Sequence, residues 1–483
     1  MDRRRAVTIA ILVAIVALHV YLSVQQALFF EQHEIESMQS GAKGYVSDEV
    51  WYVDAARNIL IKVFHTYPKV RPLGASVIYN NFSQLDEAAK LAKSFGLQLV
   101  LYKCGSSYCY SKLPALYVRA PSLKLIEEFA NATHARDVVV GWPIGDSQNL
   151  DQYLNLEHPP LAKYLIAACL AFLGDRPVFW RIPSIACGAM LVVLAFLIVW
   201  EISRNEIAAL LTAFLTAIDP LSRVMSSLAM LDIFVAAFTA LALLFVVKRM
   251  FRAAVVATAV AACFKFNGIF ALVPLLAYVI HEDLRRGERP LYIFADVLLY
   301  TGLTGLAFMA ILVVVSIPLI QYLGFSSWFS QSVVGAIEWH LSTKCVGPSC
   351  PPASTPLDWF FGVNSFPLYI YDDKTIYAQG LVPFYAASFI LALLSIPALA
   401  KRKPVSRYAW FLFMGLWICY VAIWFAGSHT QYSFYAVQLT PFVYAFLVLR
   451  VFELLDREEL IEMFRAWYGV LRVLGSALAQ LLG

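Results

Sequence analysis

Residues 253–280 read AAVVATAVAACFKFNGIFALVPLLAYVI, an apolar run with a lysine near its middle. About 20 apolar residues cross the hydrocarbon core of a bilayer. As one helix, this run would hold Lys265 in mid-bilayer, at a cost of about 2.5–3.5 kcal/mol. Broken at Lys265-Phe266-Asn267-Gly268, it becomes two short helices with Lys265 at an outer mouth. The basic loops decide between the two. Arg3–Arg5, Arg204, Lys248/Arg249/Arg252, Arg285/Arg286/Arg289 and Lys401/Arg402/Lys403/Arg407 sit in short connections. Such connections stay cytoplasmic. Only the broken reading keeps all of them on one side.

The rest of the chain is of the same kind. Of 483 residues, 60% are hydrophobic and 14% charged, and the mean hydropathy is +0.68. Soluble chains carry about 25% charge. A water-soluble single core and a disordered chain are both excluded. The net charge of +4 gives no argument for a nucleic-acid partner. Ala6 to Phe30 is too long for a signal-peptide core and is read as a retained helix. Further apolar stretches are 182–202, 207–218, 231–247, 291–323, 376–400, 408–426 and 432–449. The fold class expected is an all-α polytopic membrane protein with about 11 transmembrane helices.

The organisation expected runs as follows. Residues 1–30 form the first span, and 31–66 an outer loop with an acidic motif. Residues 67–146 form a small extracytoplasmic α/β insert. A juxtamembrane helix and spans two to seven fill 147–323, and a second long outer loop fills 324–375. Three more spans occupy 376–450. Residues 451–483 either span or lie on the surface as an amphipathic helix. In the insert, 75–79, 97–102 and 116–119 read as strands, and 84–95 and 122–130 as helices. It holds no catalytic constellation and suits a lid or a partner-binding module. Each outer loop carries a close cysteine pair, Cys104/Cys109 and Cys345/Cys350, placed as disulfides in an oxidising compartment.

Chemistry-bearing residues gather on the outer side. Asp48-Glu49 opens a helical pattern after the first span. A carboxylate there caps a helix in the ordinary case, and in a site takes a proton from an acceptor hydroxyl. His158-Pro159-Pro160-Leu161-Ala162-Lys163 ends the first loop and starts a helix along the interface. Arg181, just before a proline-started span, and Lys265 either snorkel to headgroups or form a phosphate site. Asp232 starts a span and either caps it or orients Lys265 or Arg223. His429 stands before the aromatic run at 432–435, and Trp339 and His340 precede the second cysteine pair. No Cys or His set has metal-ligand spacing, so neither a metal nor a further cofactor is expected.

These clusters, in this order and on this side, resemble the protein O-mannosyltransferases of the GT-C membrane glycosyltransferases. The likeness rests on Asp48-Glu49, His158 to Lys163, Arg181-Ile182-Pro183-Ser184, Met230-Leu231-Asp232 and Lys265 to Phe270, with a looser match over 432–441. The resemblance implies a GT-C fold in the cell membrane with its active site facing outside. It implies mannose transfer from dolichyl phosphate mannose to Ser or Thr hydroxyls of an acceptor protein, with inversion. It implies Asp48 as catalytic base with Glu49 beside it. Arg181, Lys265 and His429 would hold the lipid phosphate, and His158, Lys163 and Asp232 would shape the site. The loop 324–375 is too short for the β-trefoil of the eukaryotic members, which implies an archaeal or bacterial type. Ser428-His429-Thr430-Gln431 stands where the family usually has an arginine. The rival readings are transfer from a polyprenyl phosphate sugar to a lipid or glycan, and a polytopic transporter. The absence of an inverted repeat counts against the transporter.

Overall fold

The computed structural model describes residues 3–38, 44–342, 347, 350–402 and 404–482. By length and apolarity, six helices can cross a membrane: Arg3–His33, Pro177–Ser203, Phe266–Arg286, Pro290–Val315, Val382–Lys401 and Ser406–Phe425. Glu206–Ile218 and Pro220–Ser226, bent by 60°, make a seventh if counted as one. The chain is a multi-pass membrane protein. By this measure the described residues do not reach the eleven spans expected. Leu231–Val247, Phe251–Ala262 and Leu161–Phe172 are apolar but shorter. Arg457–Leu482 is one amphipathic helix that packs Met463 and Ala466 on Ala398 and donates from Trp467 Nε1 to the Leu394 carbonyl at 2.7 Å.

Three sequence boundaries move. The stretch 291–323 breaks at Ser316, because Pro318 starts a separate helix, Ile317–Leu323. Residues 376–380 are not helical. Pro367–Tyr371 and Lys374–Tyr377 form a β-hairpin, and the helix begins at Val382. Ser433–Gln438 is a 3-10 turn, and its helix begins at Thr440. The break in 253–280 is present: Phe251–Ala262 ends, Lys265 is extended, and Phe266–Ala271 is a 3-10 turn before Leu272–Arg286. Gly268 packs so closely on the backbone of Ala261 and Ala262 that no side chain fits there.

Helix α1 (Arg3–Met38) leads to α2 (Glu49–Asn58). The insert follows: β1 (Gly74–Ile78), α3 (Leu85–Ser94), β2 (Gln98–Leu101), β3 (Ala115–Arg119), α4 (Leu123–Ala132) and β4 (Asp137–Val140). The sheet order is β2-β3-β1-β4, with antiparallel neighbours throughout. This is the split β-α-β arrangement of ferredoxin-like modules. Strand β4 is the one the sequence reading missed. Ala75, Val77, Leu116, Val118 and Val140 face α3 and α4, while Ile78, Ala115, Tyr117 and Val139 join the main core. Alternate residues of a strand point to opposite faces, so the sheet is buried on both sides and seated on the membrane body.

The seat is locked by charge. Arg57 of α2, fully buried, donates to both oxygens of Asp175 at 2.7 and 3.0 Å, and also to Asp54 and to the Tyr45 hydroxyl. Asp175 accepts from the Trp142 amide at 2.9 Å, and Asp54 from the Gly145 amide at 2.9 Å. The exit of the insert is thereby tied to α2. Helix α5 (Leu161–Phe172) packs against α2 and lies just before the Pro177–Ser203 span. At the centre, Leu231–Val247 is apolar all round and buried between Ile182–Ser203 and Phe251–Ala262.

Candidate active site

Asp48 and Glu49 are neighbours with different surroundings. Asp48 occupies the position before α2, half-buried, and its side chain makes no capping bond to the first turn. Glu49 is fully buried. Its Oε2 accepts from the Val46 amide at 3.0 Å and from Arg181 Nη2 at 2.7 Å. Its Oε1 accepts from Arg181 Nε at 2.8 Å and from the Ala229 amide at 2.7 Å. Arg181, also fully buried, further donates to the Ala27 carbonyl at 3.1 Å and lies over the Phe30 ring. The Glu49–Arg181 pair therefore joins α1, α2, the start of Ile182–Ser203 and the loop before Leu231. A carboxylate with four donors has little lone-pair capacity left for a substrate proton. Arg181, expected to reach a phosphate, gives two of its five N–H donors to Glu49.

One turn beyond Asp48, Tyr52 lies on the same face of α2. It is 5% exposed. Burial pushes its phenol well above the usual value, and the charges of Asp48 and Asp232 push it the same way. Tyr52 was not singled out in the sequence, although its four-residue spacing from Asp48 was the available signal.

Asp232, at the start of Leu231–Val247, accepts from Lys265 Nζ at 2.8 Å, and its second oxygen has no hydrogen-bond partner. Lys265 Nζ stands 4.2 Å from the Tyr435 ring centroid and 5.7 Å from that of Phe434. The motif at 265–268 divides its labour. Lys265 meets Asp232, and Asn267 donates to the Tyr420 hydroxyl at 2.7 Å and to Gln438 at 3.3 Å. Gly268 permits the close return of the chain onto Phe251–Ala262. Of the alternatives for Asp232, Lys265 is the partner found.

Lys163 is fully buried in the first turn of α5 and donates to the carbonyl and side chain of Asn155 and to the His158 carbonyl at 2.8 Å. Burial lowers its ammonium to about 7. It closes the loop that presents His158. The His158 ring lies 5.8 Å from Tyr52, 5.3 Å from Trp339 and 5.0 Å from His340, and His340 Nε2 approaches the Glu157 carbonyl at 3.2 Å. The two long loops thus meet beside Tyr52. His429 stands apart from them. It is exposed, edge-on to Trp424, and among the described residues no contact ties it to Lys265 or Asp232.

Cys104 and Cys109 form a disulfide that closes a short hairpin in the insert. Cys345 lies outside the described residues, so of the second pair only Cys350 is described. Among the described residues, no group of three His, Cys, Asp or Glu is placed to hold a metal ion.

A multi-pass helical membrane body thus brings together a fully paired Glu49, a half-buried Asp48 and the Asp232–Lys265 pair. The family model described as dolichyl-phosphate-mannose-protein mannosyltransferase matches residues 157–318. It bears out the resemblance over the segment holding His158, Lys163, Arg181, Asp232 and Lys265. A polyprenol-phosphate-mannose–protein mannosyltransferase of Mycolicibacterium smegmatis is 35% identical over 81 residues, which are 17% of this chain and 16% of that protein. ArnT from Cupriavidus metallidurans bound to undecaprenyl phosphate is 17% identical, with a TM-score of 0.42 over 65% of this chain and 53% of that one. The Archaeoglobus fulgidus oligosaccharyltransferase is 13% identical, with a TM-score of 0.36 over 88% of this chain and 54% of that one.

Proposed function

We propose that the chain is an inverting membrane glycosyltransferase. It moves mannose from a dolichyl- or other polyprenyl-phosphate donor to a Ser or Thr hydroxyl of a protein, at a site facing outside the cytoplasm in the cell membrane. The reading is carried by one observation: Glu49 is saturated by Arg181 and two amides, so the half-buried carboxylate beside it, Asp48, is the one assigned the proton. The family match over residues 157–318 supports the sugar and the donor class.

In the step proposed, the acceptor oxygen forms a bond to the anomeric carbon as the bond from that carbon to the phosphate oxygen breaks. The electron pair leaves with the lipid phosphate, and the hydroxyl proton passes to the Asp48 carboxylate. A general base of this kind contributes about 10²–10⁴ in rate. Lys265 has three N–H donors, of which Asp232 takes one. The other two are assigned to the departing phosphate, where a preplaced cation stabilises growing charge. Arg181 acts through Glu49, fixing the turn that presents Asp48.

The test is to supply purified protein with polyprenyl phosphate mannose, a Ser/Thr-rich peptide and, in parallel, a lipid-linked acceptor. The expected product is an α-mannosyl Ser or Thr, which is the inverted configuration if the donor is β-linked. Mannose on the lipid alone would keep the donor chemistry and overturn the protein acceptor. No transfer to either would overturn the reading.

A further inference from the structure

A cavity of about 460 Å³, lined by none of the residues placed at the candidate active site, lies where three candidate spans end or begin. Its walls come from the end of Leu272–Arg286, the end of Val382–Arg402 and the start of Ser406–Phe425. Because these are span termini, the cavity stands at headgroup depth. The same termini carry the basic residues that charge parity assigns to the cytoplasmic face. The wall is of two kinds. Leu284, Leu399 and Phe411 make an apolar side, and Arg285 and Arg407 a cationic rim.

The rim has an excess of positive charge. Arg407 has no acidic partner among the described residues. Its Nη2 donates to His281 Nδ1 at 2.9 Å, and its guanidinium lies over the Phe411 ring. A guanidinium only donates, so His281 Nδ1 is the acceptor of this contact. Among the described residues Arg285 pairs with Glu282 alone, at 3.6 Å, and Glu282 is also held by Arg249 at 3.2 Å. One carboxylate thus serves two arginines, and Arg407 is left with none.

The geometry points to a binding site for an anionic glycerophospholipid of the bilayer, its phosphate between Arg407 and Arg285 and an acyl chain along Leu399 and Phe411. Planar guanidinium groups match phosphate oxygens in pairs, and a bilayer supplies such headgroups at this depth. The site is separate from the sugar-transfer reading and does not depend on it.

Native mass spectrometry of the delipidated full chain, titrated with phosphatidylglycerol, phosphatidylcholine or inorganic phosphate, tests this. The wild type should retain phosphatidylglycerol in preference to phosphatidylcholine, and Arg285→Gln/Arg407→Gln should weaken that binding about ten-fold or more. Leu399→Trp, which fills the cavity and leaves both cations in place, should also lose the lipid, so the test survives if the double variant fails to fold. Equal binding of the two lipids, or unchanged binding in whichever of the variants folds, would overturn the proposal. Displacement of the lipid by millimolar inorganic phosphate would mean a small-anion site and would overturn it too.

Discussion

At the scale of single residues, the site turns on how charge is paired. The Glu49–Arg181 pair is fully buried and bidentate, and removing one partner leaves the other charged and dry. Such a loss costs about 3–5 kcal/mol. Arg181→Ala and Glu49→Gln should therefore lower the thermal midpoint of the purified protein by several degrees, and activity should fall with it. Equal midpoints for both variants and wild type would remove the pair's structural role. Lys265→Met also leaves a buried carboxylate, Asp232, without its cation, so it too should lower the midpoint. It should in addition weaken use of lipid-linked donor in kcat/KM by more than the midpoint loss of Arg181→Ala would lead one to expect. The residue types were legible in the sequence, since charged residues within or beside long apolar runs stand out there. Their pairing was not. Arg181 reads as a phosphate ligand because nothing in a linear pattern says that Glu49, 132 residues away, already holds it.

At the scale of elements, the break in 253–280 is the feature that sequence polarity could give. Lysine in mid-run and basic loops on both sides admit one answer. Gly268 shows why the motif is more than its lysine. A Cβ at 268 would run into the backbone of Ala261 and Ala262, and backbone cannot move aside cheaply. Gly268→Ala should displace the turn that carries Lys265 and reduce donor kcat/KM, with Asn267→Ala a milder companion. If Gly268→Ala matches wild type, the turn does not position Lys265. The elements that sequence reading missed are short ones. Strand Asp137–Val140 is four residues long and is recognised only by pairing with β1. The hairpin at 367–377 was hidden by its apolar run, although Asp372-Asp373 carried a signal. Both residues have positive φ, 43° and 61°, as a two-residue hairpin turn requires.

At the scale of the whole molecule, the sheet of the insert is buried between its own helices and the membrane body. Its alternating pattern was legible as strands, but the packing of the second face was not, since apolar residues on both faces read the same from either side. Orientation gives a direct check. Lys90, exposed on α3, and Arg289, exposed before Pro290–Val315, should lie on opposite sides of the membrane. In intact cells an impermeant maleimide should label Lys90→Cys and spare Arg289→Cys, and the reverse pattern would invert the map. The central claim is that this body presents one carboxylate, Asp48, as the proton acceptor of sugar transfer. Turnover of polyprenyl phosphate mannose by Asp48→Asn, measured beside its donor affinity and thermal midpoint, tests it most directly. The account predicts a kcat lower by about 10²–10⁴ with affinity and midpoint close to wild type, and a kcat near wild type would contradict it.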